Sequence, residues 1–341
     1  MAHDHRPHIS LASVADLLAA VPYLFGFHVD HSIVIVGYTE SMLTAATRAD
    51  LPKRDEVPSW IDGTTSQSLA MLRNVDATAA TIIGYGPADT VTPIVDILTP
   101  HFDHAGITVR DALRVTDGRY YSYLCDDPAC CPVDGVPFDA VGSVVAVNAI
   151  VAGQTALPDR AALVASIAPT TGAARDAVTT ATWRAQHRRD TLFAAGRRAA
   201  VIRAGKKALR AAVARYAGDR VLTDDEVAWL SVLLLDYTVR DAAWRTNDGA
   251  PSQLALWTDV TRRVDPALAA PPAVLLAVIA WREGLGALAS VAIDRALDAD
   301  PNDPLAQLID HALRAGIPPT ALDSQATPTT PAENPPSTDQ K

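Results

Sequence analysis

The sequence predicts an N-terminal α/β sandwich built on a mixed sheet, then an all-α, repeat-like helical domain, then a disordered tail: an α+β or α/β fold. Three observations predict it. Over the first 155 residues, short β-rich apolar runs alternate with helical periods. From 156 to 316 the strand signals vanish and helical periods follow one another. Residues 317–341 are rich in Pro, Thr and Ser, a composition that cannot bury a core. The expected domains are therefore 1–155, 156–316 and 317–341.

Each element has its own signal. Ser10 can cap a helix whose apolar positions are Leu11, Val14, Leu17, Leu18 and Val21. Residues 32–37 form a continuous apolar run, the mark of a strand buried on both faces. Residues 43–51 read as a second strand closed by Pro52, 64–74 as a helix, and 78–85 as a third strand. A helix over 87–103 has Pro87 at its start. Runs 107–116 and 119–124 flank Asp117-Gly118, a strong hairpin signal. Residues 138–151 read as a helix. Further helical periods cover 159–168, 175–217, 224–246, 252–264, 273–284, 288–299 and 304–315. Thr223 and Glu226 have capping-box spacing. Asp236, Arg240 and Asp241 lie at helical spacing and predict an intrahelical ion pair. Leu276, Ala277, Gly284, Ala289, Ile293, Ala296 and Pro301 resemble one tetratricopeptide unit. The usual aromatic positions hold Ala273, Ala280 and Gly286, and no second copy precedes it. A lone unit cannot form a peptide groove, so a hairpin that packs like a repeat is the simpler expectation.

Composition excludes some functions. The net charge of -10 offers no overall positive field to phosphates, which argues against a general nucleic-acid binder. The first residues lack the apolar core of a signal peptide. The longest apolar run, 273–281, is about half of a bilayer span. A cytoplasmic protein without a membrane span is the expectation. Four of the 29 basic residues are lysine, a bias of GC-rich genomes, so an arginine in place of lysine carries little information.

The three cysteines fall within seven residues, at Cys125, Cys130 and Cys131. In a reducing compartment such thiols are free, redox-active or metal-bound rather than a structural staple. Zinc wants four ligands, and this cluster offers three without the usual two-residue spacing, so His28 or an Asp would complete it. A bridge from Cys125 to Cys130 or Cys131 closes a small loop, whereas one between Cys130 and Cys131 is strained. Arg119 could lower a thiol pKa, against Asp126 and Asp127. Inert structural thiols are the plain alternative.

Two further constellations stand out. Arg48 and Asp50 lie at period two and so on one strand face. If that strand neighboured the hairpin, Arg48, Asp50, Arg119, Ser122 and Cys125 would suit a small anionic ligand or a catalytic pocket. A salt-bridged sheet edge is the plainer reading. The second is a basic stretch over 183–216. On an unbroken helix Arg184, Arg188, Arg189, Arg203, Lys206, Lys207 and Arg210 share an arc of about 140°, with Gly196 and Gly205 as potential breaks. It could dock an acidic protein partner, and weakly nucleic acid; a solvated face is the alternative. Gly84-Tyr85-Gly86-Pro87 follows a strand and opens a helix, where phosphates bind in doubly wound folds. Asp89 replaces the third glycine of the fingerprint, and no Lys-Ser/Thr pair follows. His3, His5 and His8 are adventitious metal binders at most.

Taken together, Ile9-Ser10-Leu11, the stretch 16–28, the strand 32–37, Arg48-Ala49-Asp50-Leu51-Pro52, Ser122-Tyr123-Leu124-Cys125, Cys130-Cys131-Pro132 and Arg240-Asp241-Ala242-Ala243-Trp244 resemble an actinobacterial family, domain of unknown function 4192. The resemblance extends over nearly the whole chain except the tail. Tyr120-Tyr121 depart from it, since the family tends to carry Trp there. It implies an actinobacterial origin and this domain order; it assigns no activity, cofactor or catalytic residue. The leading functional expectation is a binding or regulatory module. The alternatives are an enzyme with a pocket near Arg48, Asp50, Ser122 and Cys125, and a thiol- or metal-based sensor.

Overall fold

A computed structural model describes residues 13–53, 56–246 and 250–321 of the chain. Helix α1 (Val14–Phe25) starts later than Ser10 predicts: Ser13 is the cap, its Oγ accepting from Asp16 N at 3.2 Å. Ser10 and the histidines at 3, 5 and 8 lie outside the described residues, as does the tail from 322 on. Gly26, at φ 76°, ends α1 in the left-handed conformation that glycine adopts freely.

Next come β1 (Ser32–Thr39), β2 (Met42–Asp50), α2 (Val57–Asn74), β3 (Ala79–Tyr85), α3 (Ala88–His104), β4 (Thr108–Thr116), β5 (Arg119–Ser122), β6 (Val136–Pro137) and α4 (Val144–Val151). The strands form one mixed sheet in the order β2-β1-β3-β4-β5-β6. Only β3 and β4 run parallel, joined by the α3 crossover; every other pair is antiparallel. Asp117 (φ 50°) and Gly118 (φ 70°) make the β4–β5 turn, both with the positive φ of a type I′ hairpin. Helix α2 begins at Val57 rather than 64, with a proline in its first turn. Helix α4 is shorter than 138–151 predicts. The Asp139 carboxylate accepts from Val141 N (2.9 Å) and Gly142 N (2.8 Å), which makes a turn, and Ser143 then caps the helix.

Side-chain alternation divides the sheet's contacts between two layers. Ile33, Ile35, Ala80, Ile82 and Ala112 pack on α2 and α3 through Leu72, Ile94, Leu98 and Phe102. Val34, Val36, Ile83, Leu113 and Val115 belong instead to a cluster that continues through α1 into the helices beyond residue 156. Both faces of β1 and β3 are therefore buried, which is why they read as continuous apolar runs.

The second half comprises α5 (Arg160–Ser166), α6 (Gly172–Ala194), α7 (Arg198–Ala217), α8 (Asp224–Leu233), α9 (Tyr237–Arg245), α10 (Pro251–Arg263), α11 (Ala270–Arg282), α12 (Gly286–Ala299) and α13 (Pro304–Arg314). The period 175–217 is two helices, because Gly196 takes φ 65° between α6 and α7. Gly205 breaks nothing: it sits inside α7, where a Cβ would collide with the Val239 side chain of α9. The period 224–246 is also two helices. Thr223 and Glu226 form the capping box of α8, and Asp236 caps α9 through Thr238 N (2.9 Å). Asp236 also accepts from Arg198 Nε at 3.1 Å. The intrahelical pair expected for Arg240 is therefore replaced by a buried pair with Asp303, at 2.6 Å.

Helices α11 and α12 form a hairpin turned at Gly284 (φ 76°). Arg295 of α12 donates to Ile167 O (2.7 Å) and Thr261 O (2.6 Å), placing a cation at the C-terminal ends of α5 and α10. The two halves of the chain are joined by more than the apolar cluster. His28 N donates to Leu157 O (2.9 Å), Leu157 N to Gly26 O (2.8 Å) and Asn74 Nδ2 to Ala315 O (2.8 Å). No helix among the described residues is long and apolar enough to cross a membrane.

Candidate functional site

The cysteine segment leaves the end of β5 and returns as β6. Asp127 folds it back: its carbonyl accepts from Cys130 N (3.1 Å) and Cys131 N (2.7 Å), and its carboxylate from Ala129 N (2.9 Å). Arg119 Nη1 donates to Asp134 O (3.1 Å) and Gly135 O (2.8 Å), tying the return segment to β5. Gly135 takes φ 75° and lies so close to the Tyr121 ring that a side chain would collide with it. The Arg114 guanidinium lies 3.8 Å from the Tyr121 ring centroid, a cation–π contact. Ser122 Oγ accepts from Leu124 N and Cys125 N, both at 3.2 Å, and donates to Asp111 Oδ1 at 2.8 Å.

This scaffold brings the three thiols together. All are free, and their Sγ atoms lie within 4.8 Å of one another. Cys130 is exposed, while Cys125 and Cys131 are half-buried. The Cys131 thiol is pushed up to about 12, first by its hydrogen bond with Cys125, then by burial and by Cys130. Among the described residues no imidazole or carboxylate joins the group, so His28 stands outside it. Burial raises the Tyr120 pKa, and the neighbouring Cys131, Cys130 and Asp111 add to the rise.

Arg48 and Asp50 pair with each other on β2, and Arg48 lies 5.5 Å from the Phe27 ring centroid. The strands β1, β3 and β4 separate β2 from β5. At about 4.8 Å per strand, about 19 Å lies between Arg48-Asp50 and Ser122-Cys125. The structure brings Ser122 and Cys125 together, turns Arg119 to the carbonyls of Asp134 and Gly135 instead, and leaves Arg48 and Asp50 at the far edge.

Arg48 and Asp50 instead line a cleft of about 1470 Å³ between the sheet and the helices. Its sheet side includes Tyr38, Thr81, Arg110, Asp111 and Leu113; opposite stand Leu17 and Leu24 of α1, Trp281 and Glu283 at the end of α11, and Ser290 of α12. A register shift in β4 at this level sets Asp111 opposite Thr81. The Arg110 guanidinium lies 4.8 Å from the Tyr38 ring centroid and donates to Glu40 O. The Arg48 Nε is buried without a hydrogen-bond partner. Sequence reasoning missed Tyr38, Thr81, Arg110 and Asp111. The adjacent charged pair Arg110-Asp111 just before the buried Ala112-Leu113 was the available signal.

Burial raises the Asp111 pKa, against the hydrogen bonds from Ser122 and Ala112 N that lower it. A carboxyl raised in the folded state contributes stability that is complete below its unfolded value near 3.8. That contribution is lost as pH rises through the folded pKa. Asp111→Asn should therefore gain on the parent between about pH 3 and pH 7 in urea unfolding. A parent–variant difference that stays constant over that range would refute the argument.

The basic stretch is divided by the break at Gly196. Arg184 pairs with Asp225 (2.6 Å), Arg189 with Asp190 (2.9 Å), and Arg188 lies over the Trp229 ring. Arg203, Lys206, Lys207 and Arg210 remain as an exposed face of α7, with no ion pair among the described residues. At the glycine turn, Gly84 lets Val91 of α3 pack against β3 where a Cβ would collide. That is a packing reason for the glycine near the end of β3.

Comparison with known proteins adds one match. Residues 15–320 match the family described as Domain of unknown function (DUF4192), and the chain belongs to that family. No curated protein and no solved structure matches it.

Proposed function

We propose that this member of the DUF4192 family is a ligand-binding module, and that its ligand is a small organic anion with an apolar body, held in the cleft between sheet and helices. The observation that carries the reading is the lining of that cleft. Four arginines (Arg48, Arg110, Arg160 and Arg314) outnumber three carboxyls (Asp50, Asp111 and Glu283, of which burial raises the Asp111 pKa), and they stand with Tyr38 and Thr81 among apolar residues such as Leu17, Ala46 and Leu113. A concave, mostly apolar site with a few convergent polar groups is the usual form of a small-molecule site. Arg110 supplies an anion's partner: its own hydrogen bond goes to a carbonyl, not to a carboxylate.

The test is a thermal-shift and calorimetric screen of the purified protein against organic carboxylates, phosphates and sulfonates. A ligand found there should bind Arg110→Ala about tenfold or more weakly, the loss of one charge-assisted hydrogen bond. The melting temperature of the free variant should stay near the parent's, since Arg110 is exposed. Equal affinity of parent and variant for every ligand, or no stabilisation by any of them, would sink the proposal.

A further inference from the structure

We infer that Cys125, Cys130 and Cys131 together bind one thiophilic divalent cation, of which Zn²⁺ is the probe, through three sulfur ligands with a fourth position open to solvent. The inference is independent of the cleft, whose lining contains none of the cysteines.

The geometry is nearly that of the bound state. Tetrahedral zinc with Zn–S of about 2.3 Å sets its sulfurs about 3.8 Å apart. The three Sγ atoms already lie within 4.8 Å of one another, so closing on a metal needs movement of about 1 Å or less. Both ligand-bearing segments are held from outside the cluster. Cys125 N donates to Ser122 Oγ, and Cys130 N and Cys131 N both donate to Asp127 O. Arg119 fastens the following loop to β5. A site whose backbone is fixed by such partners loses little entropy on binding.

The donor type selects the ion. Three thiols are soft ligands, which suit zinc or copper(I) and reject magnesium and calcium, whose shells are oxygen. Structural zinc sites are closed by four protein ligands, whereas sites that exchange a ligand keep one position open. Here no imidazole or carboxylate joins the cluster among the described residues, and Cys130 is exposed, so the open position faces water. Binding converts three thiols and Zn²⁺ into a tris-thiolate complex of net charge −1 and releases three protons to solvent.

The experiment uses full-length protein, reduced, freed of metal with a chelator and kept anaerobic. It is titrated with Co²⁺ and then with Zn²⁺ in competition with a chromophoric chelator. One equivalent should bind with strong near-ultraviolet sulfur-to-cobalt charge-transfer absorption, and Zn²⁺ should abolish the band. Each of Cys125→Ser, Cys130→Ser and Cys131→Ser should weaken binding at least about tenfold. The triple serine variant should show no charge-transfer band. Binding of unchanged strength in that variant would overturn the inference and move the site to the histidines at 3, 5 and 8. Cobalt spectra without the band would overturn it too, as would reduced protein that takes up no metal. If the triple variant fails to fold, the parent's band decides alone, because these are the chain's only thiols.

Discussion

Replacing Arg240 by alanine should destabilise the protein by about 3–5 kcal/mol, the range for removing one partner of a buried ion pair. Arg240 and Asp303 meet at 2.6 Å with side chains 7% and 4% exposed. Neither charge can turn to water when the other is gone. Asp303 also caps α13, its Oδ1 accepting from Leu305 N and Ala306 N, both at 3.0 Å. The pair thus fastens α9 to the first turn of the last described helix. Asp303→Ala should lose about 1 kcal/mol more than Arg240→Ala, because an N-cap goes with the charge. Asp303→Ser keeps a capping oxygen and separates the two terms. The double variant Arg240→Leu/Asp303→Ser should recover most of the loss, since no unpaired charge is left buried. Urea unfolding followed by far-ultraviolet circular dichroism measures all four. An Arg240→Ala loss under about 1 kcal/mol would show that water reaches Asp303.

The sequence placed Arg240 in a local ion pair, and the reason it failed is instructive. Helical spacing assumed one helix over 224–246, which put Asp236 inside it. The break after Leu233 makes Asp236 a cap, engaged with Thr238 N and Arg198. Arg240 then shares the buried side of α9 with Val239 and Ala243; Leu234 O and the Tyr237 ring lie near it, but its carboxylate partner comes from the distant Asp303. Some local signals were legible, although the starts of α1, α2 and α4 and the break after Leu233 were misread, and Gly196 was legible only as a potential break. The apolar runs of β1 and β3, the Asp117-Gly118 turn and the capping box of α8 all rest on neighbours in sequence. Strand order was not legible, because pairing is non-local, and β2 lies four positions from β5. The same limit explains the two glycines. Gly196 and Gly205 look alike in sequence, yet one adopts a positive φ and the other makes room for Val239. For the candidate site, the cysteines were legible as a cluster, but their convergence depends on the turn around Asp127. The cleft was illegible because its walls, from Arg48 on β2 to Trp281 on α11, come from distant parts of the chain and meet only after both halves fold.

Trp257→Ala should cost about 3–5 kcal/mol, as large as any single core truncation in this protein. Trp257 is 1% exposed on α10, which packs against α7 and α11, and it belongs to the cluster that reaches the sheet. Removing the indole leaves a cavity that three helices must close. Trp257→Phe asks a different question. The Trp257 Nε1 is buried without a hydrogen-bond partner. A buried unmade donor costs about 1–3 kcal/mol. Phenylalanine removes that donor while keeping most of the apolar contact, so the two effects oppose each other. Trp257→Phe should therefore fall within about 1 kcal/mol of the parent. Since α11 ends at Trp281 and Arg282 beside the cleft, the alanine variant should also weaken ligand binding there, and the phenylalanine variant should not. Denaturant midpoints of the two variants decide the matter. A phenylalanine variant as unstable as the alanine one would mean that the indole N–H has a partner, such as a buried water, whose hydrogen bond holds α10 in place.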